Sequence, residues 1–270
     1  MPQTILDTIL ETKREEVARL RRRGQQDLRR RAGDAPPARN FYAAVAKRPR
    51  RALNLIAEIK RASPSAGVIR EDFRPVDIAR QYEDAGADAI SVLTDERYFQ
   101  GRLDYLTDVR QAVSLPVLRK DFLIDPVQVY QSRAAGADAI LLIAAALPTG
   151  MLADLMILAA ELQMTSLVEV HGADELLKIR SMIGFPHRRR GLLGINNRDL
   201  ATFNVDVGTT LRLAELAEEA APIVSESGIR TREDVAALRR AGVSGVLVGE
   251  TFMRSDDIAA EIDALLGPPR

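Results

Sequence analysis

Cysteine and tryptophan are absent from this 270-residue chain, and histidine occurs only twice. Without cysteine there is no disulfide framework, no thiolate zinc site and no cysteine nucleophile, a composition that suits a reducing compartment. Two histidines, His171 and His187, are too few for a histidine-rich metal centre. His187 lies in "FPHRRRG" and is expected in an exposed loop; His171 follows an apolar run and is expected to be a satisfied loop or surface histidine rather than a catalyst. No stretch reaches the ~20 apolar residues of a membrane span, and "MPQTILDTILETKREEVARL" lacks the apolar core and cleavage site of a secretory signal. The expected location is cytoplasmic, without membrane contact. Net charge is also missing, with 38 basic against 38 acidic side chains, so nothing in the balance calls for an anionic partner. Residues 1–52 do carry 14 basic and 6 acidic side chains, with Arg21, Arg22, Arg23, Arg29, Arg30 and Arg31 making most of the surplus. Base-reading aromatics and a nucleic-acid motif are lacking, so this stretch reads as a solvated helix face and no nucleic-acid partner is expected.

What the chain does have is repetition. "AGADAI" occurs at 85–90 and 135–140, and "AGVSGVLVG" echoes it at 241–249. Each copy reads as a glycine-stopped helix followed by a continuous apolar strand covered on both faces, as in a parallel sheet. Strands are expected at 53–60, 88–93, 116–120, 138–143, 165–170, 191–196, 222–226 and 245–249. Amphipathic helices lie between them, from "PVDIARQYEDAG" through "VDVGTTLRLAELAEEA" to "SDDIAAEIDALL", with Pro75 and Pro126 suiting first turns and Thr231 and Ser255 suiting caps. Eight strands alternating with eight helices predict an α/β fold, a closed (β/α)8 TIM barrel, over residues 51–270. No "GxGxxG" follows any of these strands, which disfavours an open dinucleotide-binding sheet. Residues 1–50 form a helical extension, with Thr4 and Asp7 as a capping box and Ile5, Ile9, Val17 and Leu20 as an apolar stripe. It is expected to cover one mouth of the barrel.

The stretch "LNLIAEIKRASPS" places charges inside an apolar strand. Alternation puts Asn54, Ile56, Glu58 and Lys60 on one face and Leu53, Leu55, Ala57 and Ile59 on the other. The wholly apolar face belongs against helices, so Glu58 and Lys60 point into the barrel at the strand's C-terminal end, where barrel active sites are built. Lys120, Glu169, Asn196, Glu226 and Ser227 close other strands in the same way. One such charge alone would cost several kcal/mol, roughly, to bury; two lysines facing glutamates compensate one another. Lysine there can be a general acid, a Schiff-base nucleophile or a clamp, and residue type alone leaves the three open. Arg198 in "INNRDL" can fork onto a carboxylate or pair with Asp199. Ser227 and Gly228 in "SESGI", and Gly249 with the Glu250 backbone in "VGETF", suit a phosphate held by backbone amides, with Ser63 and Ser65 of "SPSAG" at the same mouth.

The strings "AEIKRASPSAGVI", "LRKDFLIDPVQVY", "LVEVH", "LGINNRDL", "VSESGI" and "LVGETFM", spread over the whole barrel, resemble the indole-3-glycerol-phosphate synthase family of tryptophan biosynthesis. The resemblance implies a carbon–carbon lyase that needs neither cofactor nor metal. Its sugar-phosphate substrate, 1-(2-carboxyphenylamino)-1-deoxyribulose 5-phosphate, loses carbon dioxide and water to give indole-3-glycerol phosphate. It also implies roles: Lys120 as general acid, Lys60 as clamp on the substrate carboxylate and possible second acid, Glu169 as base or cation stabiliser, and Glu58 and Asn196 as orienting groups. Arg198, Glu226, Ser227, Gly228, Gly249, Glu250 and Ser63 fall to substrate binding, and Phe122, Phe99 and Leu142 to the aromatic ring. Ala62 stands where some members carry a third lysine, and Glu250 where others use serine near the phosphate. The protein is expected to act as a monomer or weak homo-oligomer. A Schiff-base aldolase of the same barrel type and a non-catalytic sugar-phosphate-binding barrel are the alternatives; the sister isomerase of the pathway is disfavoured by the missing cysteine.

Overall fold

Every apolar run expected to be a strand forms one. The computed structural model describes residues 4–183, 185–199, 202–217 and 221–269. Among these, β1 (Asn54–Ile59), β2 (Ala89–Leu93), β3 (Val117–Lys120), β4 (Ala139–Ile143), β5 (Thr165–Val170), β6 (Gly191–Asn196), β7 (Ile223–Glu226) and β8 (Gly245–Val248) pair in parallel, each with the next. Asn54 opposite Gly245 and Leu55 opposite Val246 join β8 back to β1, closing the barrel. The helices are α1 (Ile5–Asp34), α2 (Phe41–Ala46), α3 (Pro75–Asp84), α4 (Glu96–Phe99), α5 (Leu103–Ala112), α6 (Pro126–Ala134), α7 (Thr149–Glu161), α8 (Ala173–Ile179), α9 (Gly208–Ala217), α10 (Arg232–Arg240), α11 (Glu250–Arg254) and α12 (Ile258–Leu266). Pro75 and Pro126 occupy first turns, and Thr231 forms a capping box with Asp234. Ser255, expected to cap α12, instead ends α11; Asp257 caps α12 through the Ala260 amide at 3.0 Å. The expected helix after β6 extended to residue 220; positions 218–220, like the side chain of Arg23, lie outside the described residues.

The repeated hexapeptide has a structural cause. In both copies the glycine takes a left-handed conformation, Gly86 at φ 80° and Gly136 at φ 94°, and the next amide reaches back into the helix, Ala87 to Tyr82 at 2.9 Å and Ala137 to Ser132 at 3.0 Å. The aspartate then stitches the new strand to its predecessor. Asp88 donates its amide to the Leu55 carbonyl and accepts the Leu55 amide on its carboxylate, each at 2.9 Å; Asp138 does the same with Val117, each at 2.9 Å. These amides begin strands at the buried rim, where an unpaired N–H would cost roughly 1–3 kcal/mol.

Alternation along the strands sorts the apolar residues into two layers. Leu55, Ala57 and Ile59 join the layer between strands and helices, while Ile56, Ala89, Leu118, Ala139, Leu167, Leu192, Val224 and Leu247 fill the barrel interior. The N-terminal extension grips both ends of this interior, rather than covering one mouth. Phe41 and Val45 of α2, both fully buried, enter the interior layer from the N-terminal rim. There Asn54 donates to the carbonyls of Val45 (2.7 Å), Lys47 (2.9 Å) and Ser244 (2.9 Å), which fixes the plug. The start of α1 crosses the opposite mouth. It carries the expected Thr4–Asp7 capping box and then runs along α6, where Arg21 pairs with Asp125 at 2.5 Å and Arg29 lies 5.1 Å from the Tyr130 ring. Part of the arginine surplus is therefore docking chemistry; Arg30 stays exposed and pairs within the helix with Asp27 and Asp34.

Phe41→Ala should cost about 3–5 kcal/mol in chemical denaturation by emptying the plug. Truncating the exposed Leu177 of α8 should change stability by no more than about 0.5 kcal/mol, which the same denaturation curves check.

Candidate active site

The inward parity that fills the barrel with aliphatic residues continues to the C-terminal strand ends, where the inward positions become Glu58, Lys120, Glu169, Asn196 and Glu226, with Lys60 just past β1. All six line one cavity of about 300 Å³. Lys120 is its centre. Its Nζ lies 3.3 Å from Glu169 Oε2 and 3.3 Å from Glu226 Oε2, while Lys60 Nζ lies 2.5 Å from Glu58 Oε1. The three carboxylates are buried, and the two ammonium groups reach the cavity. Two missing side chains make room for two of the carboxylates. A Cβ at position 194 would stand 2.5 Å from Glu226 Oε1, and one at position 249 would stand 2.6 Å from Glu58 Oε1. Gly249 thus admits a carboxylate, beyond lending its backbone to the mouth; Gly194 lies within "LGINNRDL", but nothing local in that string shows that it makes room for Glu226.

Burial alone would push the Lys120 ammonium down, but Glu169, Glu226 and Glu58 together hold it above the usual lysine range. The two carboxylates beside it diverge. Burial raises Glu226, and with Glu169 adding to the rise against the pull of Lys120 it reaches about 8, so its carboxyl is largely protonated at neutral pH. Glu169 is equally buried, yet Lys120 and His171 keep it well below the usual carboxylate range. Neither oxygen of Glu226 has a hydrogen-bond partner. That leaves the cavity with one ionised base, one neutral acid and an ammonium between them.

His171 lies in the loop after β5, as expected, but away from the surface. It is largely buried, with ring nitrogens 3.3 Å from Glu169 Oε1 and 3.5 Å from Glu175 Oε2, at ion-pair distance rather than in aligned hydrogen bonds. Burial would lower it, but the two carboxylates lift the imidazolium to about 10. His187 is exposed, as expected.

One wall of the cavity is apolar. Phe99 and Phe122 stand with ring centroids 6.1 Å apart, joined by Leu141 and Ile143 of β4 and by Ile5, Leu6 and Ile9 of α1. Leu142, expected on this wall, has the opposite parity and packs against the helices. The α1 residues escape sequence reasoning, because nothing local in a helix announces the mouth it crosses. Lys13 holds that helix down: fully buried, it lies 2.8 Å from Asp95 and 2.8 Å from Asp121, the residue after Lys120. Burial would lower its ammonium, but Asp121 and Asp95 hold it above the usual range.

The opposite side is polar. Ser63, Ser65, Arg198, Ser227, Gly228, Glu250 and Arg254 line it. Arg198 Nη1 donates to Ser65 Oγ and to the Phe203 carbonyl, each at 3.4 Å, and its Nη2 is 3.8 Å from Glu250 Oε2. Asn196, expected to orient the lysines, turns its Oδ1 to the Arg198 amide, accepts it at 3.0 Å and so shapes that loop. Glu250 does more than lend its backbone: its side chain pairs with Arg254 at 3.0 Å. Burial would raise it, but Arg254, Lys60 and Arg198 keep it below the usual range. Ser227 at φ 67° and Gly228 at φ 76° form the tight turn after β7, and Val205 Cγ1 would lie 2.2 Å from a Cβ at Gly228. Asn197, to which strand parity assigns no role at the site, braces this turn by donating to the Ser227 carbonyl at 2.9 Å and to Ser225 Oγ at 3.0 Å. Among the described residues no group of three or more His, Asp or Glu side chains is placed to hold a metal ion, and no helix is long and apolar enough to cross a membrane.

A family model described as indole-3-glycerol phosphate synthase matches residues 6–265. The indole-3-glycerol phosphate synthase of Neisseria gonorrhoeae is 52% identical over 265 residues, covering 97% of this chain and 98% of that protein. The one from Halalkalibacterium halodurans is 48% identical over 263 residues, 97% of each chain. A solved structure of 3-hexulose-6-phosphate synthase matches with a TM-score of 0.62 over 79% of this chain and 98% of that one; at 16% identity the likeness is one of fold. The chain belongs to the indole-3-glycerol phosphate synthase family.

Proposed function

We propose that the protein is a carbon–carbon lyase of the carboxy-lyase type that converts 1-(2-carboxyphenylamino)-1-deoxyribulose 5-phosphate to indole-3-glycerol phosphate, carbon dioxide and water. The observation that carries this reading is Lys120 between two buried carboxylates, facing a wall of aromatic and aliphatic side chains, with Lys60, paired to Glu58, lining the same cavity. The apolar wall takes the anthranilate ring, and the Ser63, Arg198, Ser227 and Gly228 side takes the phosphate, which stretches the substrate across the two lysines.

In the first step the ring carbon bearing the carboxylate attacks the ribulose C2 carbonyl, and Lys120 delivers a proton to the carbonyl oxygen as the new carbon–carbon bond forms. Lys60 holds the carboxylate until carbon dioxide leaves, its bonding electrons restoring the aromatic ring. The hydroxyl on the former carbonyl carbon then departs as water with a proton from a lysine, and Glu169 takes a proton from ribulose C1 to complete the indole. Because the carboxylate leaves as neutral carbon dioxide, one proton is drawn from solvent per turnover. Glu58 orients Lys60, and the neutral carboxyl of Glu226, beside Lys120, donates to a substrate hydroxyl.

Purified protein given this substrate, without metal or cofactor, should show rising indole fluorescence. A flat trace with tight binding of the phosphate ester would replace the reading with the silent binding barrel, and a covalent adduct after borohydride reduction would replace it with the aldolase. Lys120→Ala should lower kcat by about 10²- to 10⁴-fold, the range of a lost general acid, whereas near-normal turnover in Lys120→Ala with none in Lys60→Ala would reverse the two lysine roles. Turnover should also fall as pH rises through about 8, because ionising Glu226 puts a second negative charge beside Lys120 and strengthens its hold on the proton. Glu226→Gln, which stays neutral, should remove that basic limb from the kcat–pH profile.

A further inference from the structure

Lys120 stands at the same distance, 3.3 Å, from two buried carboxylates, but it donates a hydrogen bond to Glu169 alone, which leans the charge towards Glu169. Two ionised carboxylates sharing one ammonium would leave a net negative charge in a low-dielectric cavity, and the proton must settle on one of them. The surroundings add a second cation on the same side only. His171, at the end of β5, sets a ring nitrogen 3.3 Å from Glu169 Oε1, while Lys120 approaches Oε2 of the same carboxylate. Its other ring nitrogen is 3.5 Å from Glu175 of α8, and Glu175 also accepts the His171 backbone amide at 2.9 Å. The charged groups facing the imidazole are thus Glu169 from its own strand and Glu175 from α8; Lys120 and Glu226 act on it across Glu169.

We propose that His171, as an imidazolium, is a positioning residue that keeps Glu169 ionised as the base and leaves the shared proton on Glu226. The order Glu226, Lys120, Glu169, His171, Glu175 then reads neutral, positive, negative, positive, negative from the cavity outward, and every ionised group has an opposite neighbour. Without His171 the preference for Glu169 as the ionised partner weakens, the proton is divided between the two carboxylates, and part of the base is lost at neutral pH. This inference rests on the ring-closing reading for its kinetic consequence, but its electrostatic content belongs to the resting protein.

The chain's two histidines make the resting test direct, because only two imidazole signals need assigning. Proton NMR of the imidazole ring carbons should show His171 remaining charged to about two pH units above the ordinary histidine value of about 6.5. Titration of His171 near the ordinary histidine value would overturn the proposal, whether or not the protein turns over any substrate. In kinetics, His171→Gln keeps a neutral donor in reach of Glu169. It should lower kcat at and below neutral pH, by about twofold where the proton is shared equally, recover towards the parent rate as that proton is lost above about pH 8, and leave KM little changed. An equal loss at every pH would assign His171 a purely structural role instead.

Discussion

The charge balance around Lys120 governs the mouth of this barrel. An ammonium held in a largely dry cavity is tolerable only with carboxylates against it, and carboxylates buried to the depth of Glu169 and Glu226 are tolerable only with a cation between them. Each group thereby sets the protonation of the next. Lys120 is kept charged, Glu169 is kept ionised and Glu226 is kept neutral, so acid and base functions coexist within a few ångströms. Replacing this set with aliphatic side chains would satisfy the fold equally well, since the lower half of the interior does so with Ile56, Leu118 and Val224.

The barrel makes that arrangement possible by dividing each strand between two tasks. The N-terminal half builds a packed interior, closed from below by Phe41 and Val45, and the C-terminal half projects polar groups into a common space. Rigid strands hold the groups that must not move, while loops carry Arg198 and Ser227, and a short hairpin carries Ser63, around the polar side. Small residues are part of the same division. Gly194 and Gly249 lie beside the carboxylates because a single methyl group there would collide with Glu226 or Glu58. The N-terminal helix adds the last wall, and Lys13, buried between Asp95 and Asp121, ties its placement to the strand end that bears Lys120.

Legibility in the sequence follows the range of each interaction. Strand parity is a local property, so the inward direction of Glu58 and Lys60 is readable from alternation alone, and the same rule locates Lys120, Glu169 and Glu226. Leu142 differs from its expected place by one residue of parity, and the cap that Ser255 suggests is supplied by Asp257 two residues later. His171 reads as an ordinary loop residue because its neighbours in sequence do not disclose that Glu169 and Glu175 converge on it. The span of α1 from one mouth to the other is equally hidden: an apolar stripe shows that a helix docks, but its partner surface is more than fifty residues away along the chain.

The sequence by itself determined the eight-fold alternation, the strand faces, the helix caps and, through motifs spread over the barrel, the family. These are carried by residues within a few positions of one another, where periodicity and turn chemistry act. Tertiary structure alone decided which carboxylate carries the proton, which glycines exist to admit a side chain, and how the extension closes both ends of the barrel. Those outcomes depend on distances between residues brought together only when the last strand meets the first, and no local pattern encodes a distance across a closed ring.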